Sequence, residues 1–382
     1  MKDRDDIVCL SHLRWGFVYQ RPNHIMSRFA KQRRVLFVEE PHFDGERGPE
    51  IRVEEVAPQL FVCTPVLPES LRDHSDETVR SLLQDLLAAR CVSPPVMWMY
   101  SPMFWPIAAE LPRSLLVYDC MDELSAFAGA APELIDRERQ VFQRADLVFT
   151  GGRSLYESKR SQHAAVHCFP SSVDASHFGP ARSACQEPSD QANIPHPRIG
   201  YYGVIDERID LALLADLAAA RPDYHFVMVG PLAKIDAASL PRAENLHFLG
   251  GKKYGELPAY LAGWDVAMMP FALNDATRFI SPTKTLEYMA AAKPIVSTAV
   301  ADVVDPYGQA GLVHIADART FARAVDAVLS PNPVYAARCD EVLCSTSWDA
   351  THARMDALMR HAVGNKKHAF MAKEAGTPCS TT

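Results

Sequence analysis

The feature that most constrains this chain is an alternation of short apolar runs with amphipathic stretches, repeated along most of its length. IVCL (Ile7–Leu10) precedes a helical pattern over Pro22–Lys31, with Ile25, Met26 and Phe29 on one side, and the apolar run within Arg33–Glu40 follows. Strand, helix and strand in that order predict a parallel unit, because parallel neighbours need a long crossover and a helix supplies it. The stretch Ile51–Pro68 reads as shorter strands with turns, and Asp76–Ala89 as an amphipathic helix. Pro95–Pro102 and Ser114–Glu123 read as buried strands entering loops, Glu133–Ala145 as a helix, and Ala145–Gly152 and Ala165–Asp174 as further strands.

The pattern then breaks. GPARSACQEPSDQANIPHP, Gly179–Pro197, has prolines, small polar residues and no apolar periodicity, as at the edge of a domain. Alternation restarts with Pro197–Gly203 and runs through Tyr224–Gly230, Asn245–Gly251, Asp265–Phe271 and Gly311–Ala316, with helical stretches between. A length of 382 residues exceeds one typical α/β core, so the expectation is two α/β domains. The expected divisions are residues 1–178, a linker at 179–197, a second domain at 198–340, a helical segment at 341–364 packing across both domains, and a mobile tail at 365–382.

A formal net charge of -8 argues against nucleic acid as the main partner, while leaving room for a local basic pocket. The nine cysteines include no CxxC pair and no zinc or disulfide spacing, so no metal site is expected. The acidic, polar start is unlike a signal peptide, and no stretch reaches the roughly 18 apolar residues of a membrane span. A cytoplasmic location follows, with docking at the inner face of the membrane left open.

Open parallel sheets bind ligands beyond the carboxyl ends of their strands, so the strand-end loops carry the functional argument. In Ile280–Thr298, Ser281 or Thr283 can cap a helix starting near Pro282, whose free N–H groups suit a diphosphate. Lys284 can neutralise part of that charge, and Glu287, three residues on, suits paired sugar hydroxyls. An ordinary capped helix with a solvent-exposed Lys284–Glu287 pair explains the same residues. After the first strand of this half, Gly203 permits close backbone approach and Arg208 can reach phosphate, although neither GxGxxG nor a Walker pattern is present. Lys252 and Lys253 occupy a later turn, Arg278 stands just before the helix, and Pro270 and Phe271 end a strand beside it.

In the first half, the loop Ser11–His24 offers Trp15, Gly16, Gln20 and Arg21 for closing over an acceptor or phosphate, or is a plain surface loop. Asp119 and Asp122 can bind acceptor hydroxyls or serve as a base, or can cap a following helix. His12 and His24 read as surface or capping residues. GGRSL lacks the GxSxG arrangement, which disfavours a serine hydrolase.

Together, WGFVYQRPNHIMSRFAKQRRVLFVEEP, LVYDCMDE, ADLVFTGGRSLYESK, CFPSSVDASHF, IGYYGVIDERIDLALL and SPTKTLEYMAAAKPIVST resemble the GT-B glycosyltransferases, nearest the family 4-like group of bacterial surface polysaccharide synthesis, such as teichuronic acid or exopolysaccharide enzymes. The resemblance implies two Rossmann-like domains facing across a cleft. It implies a donor site in the second domain, with Glu287 on the nucleotide ribose, and Lys284 with residues 281–285, Thr285 among them, at the diphosphate. Arg208 and Lys253 fall at the places of phosphate-binding basic residues, and the loop at Gly16 approaches donor phosphate and acceptor. The implied activity is sugar transfer, with retention, from a UDP- or GDP-sugar to a saccharide, lipid-linked or small-molecule acceptor, with no tightly bound cofactor. One departure stands out: many relatives carry a second glutamate eight positions before the ribose ligand, where this chain has Phe279. A nucleotide-sugar epimerase and a non-catalytic assembly partner of the same fold are the alternatives.

Overall fold

The protein is described by a computed structural model covering residues 5–44, 48–183, 185–330 and 332–375. The strands of the first half are β1 (Ile7–Ser11), β2 (Val35–Glu39), β3 (His42–Phe43), β4 (Glu50–Ala57), β5 (Leu60–Leu67), β6 (Val96–Met99), β7 (Leu115–Cys120), β8 (Leu147–Thr150) and β9 (Val166–Cys168). They form one sheet in the order β3-β5-β2-β1-β6-β7-β8-β9, with β4 outside β5. Only the β4–β5 pair is antiparallel among these ladders, so Ile51–Pro68 is a hairpin grafted on a parallel sheet. β1, β2, β6 and β7 are buried at every residue, which is why they read as continuous apolar runs rather than alternating ones.

The second sheet contains β10 (Arg198–Tyr202), β11 (His225–Val229), β12 (Leu246–Phe248), β13 (Val266–Met269), β14 (Ile295–Ser297) and β15 (His314–Ile315). Its order, β12-β11-β10-β13-β14-β15, is parallel throughout. In each sheet the chain first builds outward in one direction and then returns to build in the other. The reversals fall between β1 and β6, and between β10 and β13. Crevices open at such reversals because the crossover helices leave toward opposite faces.

Helices α1 (Arg21–Ala30), α2 (Ser75–Ala89), α3 (Leu134–Arg144) and α4 (Arg153–Lys159) serve the first sheet. Helices α5 (Leu211–Ala220), α6 (Thr283–Ala290) and α7 (Phe321–Leu329) serve the second. The last helix, α8, spans Trp348–Ala375. It was expected to bridge both domains and to end by residue 364. Instead Trp348, Met355 and Met359 enter the apolar core of the first sheet with Ile25, Phe29 and Trp98. Arg33 pairs with Asp356, both nearly sealed from water. The helix continues through residues 365–375, the first part of the expected tail, while 376–382 lie outside the described residues.

Segment 179–197 is anchored on the second core. Gln191 is fully buried, donates to the Tyr260 carbonyl at 3.0 Å and accepts from Trp264 Nε1 at 2.9 Å. No helix among the described residues is long and apolar enough to cross a membrane.

Candidate functional site

The strand-end loops of both sheets meet at a cavity of about 100 Å³. From the first domain come Gln20 and Arg21 after β1, Asp122 after β7, Gly151 after β8 and Ser171 after β9. From the second come Tyr201 and Arg208 at β10, Phe271 after β13, and Ser281, Pro282, Thr283 and Lys284 at the start of α6.

Helix α6 starts without a side-chain cap: Pro282 is its N-cap residue, so neither Ser281 nor Thr283 plays the expected part. The Ser281 hydroxyl instead accepts from the Ser171 N–H at 3.4 Å, and Ser171 Oγ donates to the Ser281 carbonyl, joining the domains. The side chain of Thr285 turns into the core, its hydroxyl 3.5 Å from Met269 Sδ, so it does not face the cavity.

Lys284 and Glu287 are not a solvated ion pair. Glu287 is 6% exposed, and its Oε2 accepts from the Tyr202 hydroxyl at 2.8 Å. Burial pushes its carboxyl up to about 7, against the Tyr202 hydrogen bond and the Lys284 charge. Lys284 makes no ion pair with a described residue, and its ammonium lies 5.4 Å from the Tyr201 ring centroid. Burial pushes it down to about 8, the Glu287 charge resisting and Arg208 adding to the shift. The chain makes room for this ammonium at Gly203, where φ is +138° and a Cβ would fall 2.4 Å from Lys284 Cε and 2.7 Å from Nζ.

Arg208 is held by Asp206 through Nε at 2.9 Å and Nη2 at 2.7 Å, and its own N–H donates to Asp206 Oδ1 at 3.0 Å. Burial works against its charge, but Asp206 and then Asp122 more than offset this and keep it protonated. Asp122, across the cleft, is raised by burial and restrained by Arg208 and Arg21. The cavity is therefore ringed by three cations, Arg21, Arg208 and Lys284, and one carboxylate, Asp122, beside the open start of α6. Such a site favours a diphosphate over a neutral ligand.

Several expected site residues lie elsewhere. Asp119 is fully buried and grips Arg21 Nε at 3.1 Å and Nη2 at 2.8 Å, while Arg21 Nη1 donates to the Phe169 carbonyl at 2.7 Å. This pair fixes the β1 and β7 ends rather than presenting a free acceptor carboxylate. Lys253 and Arg278 are exposed and do not line the cavity; Arg278 lies over Phe279 instead. Trp15 packs edge-on against Phe37 and its backbone N–H donates to Glu39 Oε1 at 2.8 Å, leaving Gly16 exposed at the loop tip. Gln20, by contrast, lines the cavity, and its backbone N–H donates to Asn23 Oδ1 at 3.0 Å at the start of α1.

His24 is neither a surface nor a capping group: it is buried and stacked on Trp348, and burial pushes it down to about 3. Burial holds His12 down to about 4, and its Nδ1 has no hydrogen-bond partner.

Sequence reasoning missed the interdomain contacts. Asp302, after β14, accepts from the Arg153 and Ser154 N–H groups of α4 at 2.8 and 2.9 Å. Gly152 permits this approach, since a Cβ there would fall 2.3 Å from Asp302 Oδ2. Glu207 accepts from the Ala128 N–H at 3.1 Å. The paired glycines of GGRSL were the available signal, but nothing local indicates a partner 149 residues away.

Among the described residues, no three His, Cys, Asp or Glu side chains gather as a metal site.

Comparison with known proteins agrees with this architecture. Residues 196–331 match the family described as "Glycosyl transferases group 1". The putative teichuronic acid biosynthesis glycosyltransferase TuaH of Bacillus subtilis (strain 168) is 24% identical over 221 residues, which span 53% of this chain and 55% of that protein. The fold superposes on sucrose-phosphate synthase from Thermosynechococcus elongatus with a TM-score of 0.71, at 16% identity over 95% of this chain and all of that one. An E. coli trehalose-6-phosphate structure bound with UDP-2-fluoro glucose gives 0.69 at 13% identity, covering 94% of this chain and 99% of that one. The two facing Rossmann-like sheets make the GT-B fold, and the second domain resembles the group 1 glycosyl transferases over residues 196–331.

Proposed function

We propose that the chain transfers a sugar from a nucleoside-diphosphate-sugar to a hydroxyl acceptor, with retention at the anomeric carbon, in surface polysaccharide or glycoconjugate synthesis. The observation that carries this reading is the convergence of Arg208, Lys284 and the open N-terminus of α6 on one interdomain cavity, with Glu287 buried one turn further along the helix. The diphosphate lies against Lys284, Arg208 and the α6 N–H groups, and Glu287 accepts from the ribose hydroxyls. As the sugar–oxygen bond breaks, negative charge grows on the leaving phosphate. Two preorganised cations in a water-poor cleft stabilise that charge more than they stabilise the bound donor. The acceptor oxygen attacks the anomeric carbon from the side the phosphate leaves, and its proton passes to the departing phosphate oxygen, so no protein nucleophile is required. Asp122, on the first-domain side, orients the acceptor hydroxyl.

The teichuronic acid relative supports a polysaccharide pathway, and the UDP-2-fluoro glucose complex supports a UDP-sugar as the first donor to try. The test is a panel of UDP- and GDP-sugars with saccharide and lipid-linked acceptors, read by nucleoside diphosphate release and product configuration. Acceptor-dependent release, lost in Lys284→Ala and Glu287→Ala proteins of unchanged circular dichroism, is the expected result. Undiminished transfer by either variant, or inverted product, refutes the corresponding part of the reading.

A further inference from the structure

The segment after Asp122 reaches across the cleft. Residues 124–131, LSAFAGAA, include no buried residue. At one end Glu123 is fixed by Lys159 at 2.8 Å, and beyond the other end Leu134 is buried at the start of α3. Between these anchors the backbone bonds to itself: the Ala126 N–H donates to the Glu123 carbonyl at 2.9 Å and the Ala130 N–H to the Phe127 carbonyl at 3.1 Å. Its contacts with the second domain fall on two residues. The Ala128 N–H donates to both Glu207 carboxylate oxygens, at 3.1 and 3.2 Å. Beside it, the Phe127 ring has the Arg208 guanidinium 5.6 Å and the Lys234 ammonium 5.5 Å from its centroid. Lys234, in the loop after β11, makes no ion pair with a described residue, and its backbone is left-handed, with φ of +59°.

The cavity lined by Arg208 measures about 100 Å³. Sites that take small ligands run to roughly 300–1,000 Å³, so a nucleotide-sugar enters only if something moves. The Asp302 contact joins buried groups, Asp302 itself and Gly152 at the start of α4. Residues 124–131 release only the Ala128 hydrogen bond and the Phe127 ring contacts, and local opening begins where little is buried. Because Lys159 holds Glu123, the segment can swing without carrying Asp122 with it. The chemistry favours the exchange as well. A neutral ring attracts a cation through its quadrupole alone, whereas phosphate oxygens make charge-assisted hydrogen bonds to it.

We propose that residues 124–131 are a lid on the donor phosphates, with Phe127 standing between Arg208 and Lys234 in the place an incoming nucleoside diphosphate takes, so that donor entry displaces the lid and recruits Lys234 as a further cation. This rests on the donor-site reading given above. The lid competes with the donor rather than clamping it, and the apparent affinity is lowered by the fraction of molecules with the lid shut.

The test is binding of UDP and GDP by calorimetry and stopped flow, to wild type, Phe127→Ala, Phe127→Ala/Lys234→Met and Lys284→Ala. Phe127→Leu replaces the alanine variant if circular dichroism shows that variant unfolded. Phe127→Ala is expected to bind at least threefold tighter, through faster association with little change in dissociation. Adding Lys234→Met is expected to take back threefold or more. Unchanged or weaker binding by the Phe127 variant, or a gain that comes from slower dissociation, overturns the lid. Affinity indifferent to Lys234→Met overturns the part given to Lys234. In both cases loss of binding in Lys284→Ala leaves the donor site standing. Failure of wild type and the Phe127 variant alike to bind either nucleotide, or binding that survives Lys284→Ala, overturns both.

Discussion

Gly203→Ala tests the proposed donor site through the space that seats Lys284. The new methyl would sit 2.4 Å from Lys284 Cε and 2.7 Å from Nζ. Because those atoms end a flexible side chain, the clash is relieved by moving the ammonium, not by breaking the fold. The backbone contribution is separate: φ of +138° disfavours a Cβ and costs about 1–3 kcal/mol. That lowers the melting temperature by several degrees but leaves a folded protein. The functional effect is larger. An ammonium–phosphate hydrogen bond contributes about 1.5–3 kcal/mol, so displacing Lys284 weakens donor binding roughly ten- to a hundredfold. Calorimetric titration with a nucleotide-sugar measures this directly, and circular dichroism checks the fold. Lys284→Met removes the same ammonium without backbone strain, so the two variants are expected to lose similar affinity, and their combination little more. A folded Gly203→Ala protein that binds donor as wild type does would refute the argument that Gly203 exists to seat Lys284.

Donor affinity is expected to peak between about pH 7 and 8. Above about 8 the free protein loses the Lys284 proton that the diphosphate requires, and below about 7 Glu287 takes up a proton and no longer accepts from both ribose hydroxyls. The two groups interact, so the limbs belong to the pair, and affinity that stays flat from pH 6 to 9 contradicts the assignment. Arg21→Met leaves the fully buried Asp119 unpaired and is expected to remove about 3–5 kcal/mol from the first domain's stability, measured as a shift of its denaturant midpoint. A loss below about 1 kcal/mol would show that Asp119 has another use. Asp302→Ala removes the acceptor of two α4 N–H groups across the cleft; loss of such a cap costs about 0.5–2 kcal/mol. The cleft is then expected to open, with a larger radius of gyration in solution scattering and a higher donor KM; identical scattering and KM would remove Asp302 from the closing contacts.

The alternation of strands and helices was legible because hydrophobic periodicity is local: burial on both faces of β1, β10 and β13 writes itself as uninterrupted apolar runs. Parallel sheets followed from the crossover rule, and the candidate donor-site residues were picked out by position. Arg208, Lys284 and Glu287 stand at the carboxyl ends of strands or the start of the helix that follows, where open sheets bind ligands. Phe279 was visible as a departure only through the family resemblance, against the glutamate that many relatives carry there.

What the sequence could not express was the choice among charged residues of equal promise. Asp119 and Asp122 are three positions apart on one strand end, yet only their partners tell them apart. Asp119 meets Arg21, 98 residues earlier, while Asp122 faces Arg208 and Lys284 from the opposite domain. Lys253, Arg278 and Thr285 have the right chemistry near the right loops, and only the packing turns them to solvent or to the core. The return of α8 to the first sheet, the clasp of Asp302 on α4 and the Phe127 ring beside Arg208 are likewise meetings between distant segments. Local pattern decides which segments become strands and helices, because it acts within a turn or two of chain. Which side chains converge on the cleft is decided by how two separately folded sheets face each other, and no window along the chain contains that information.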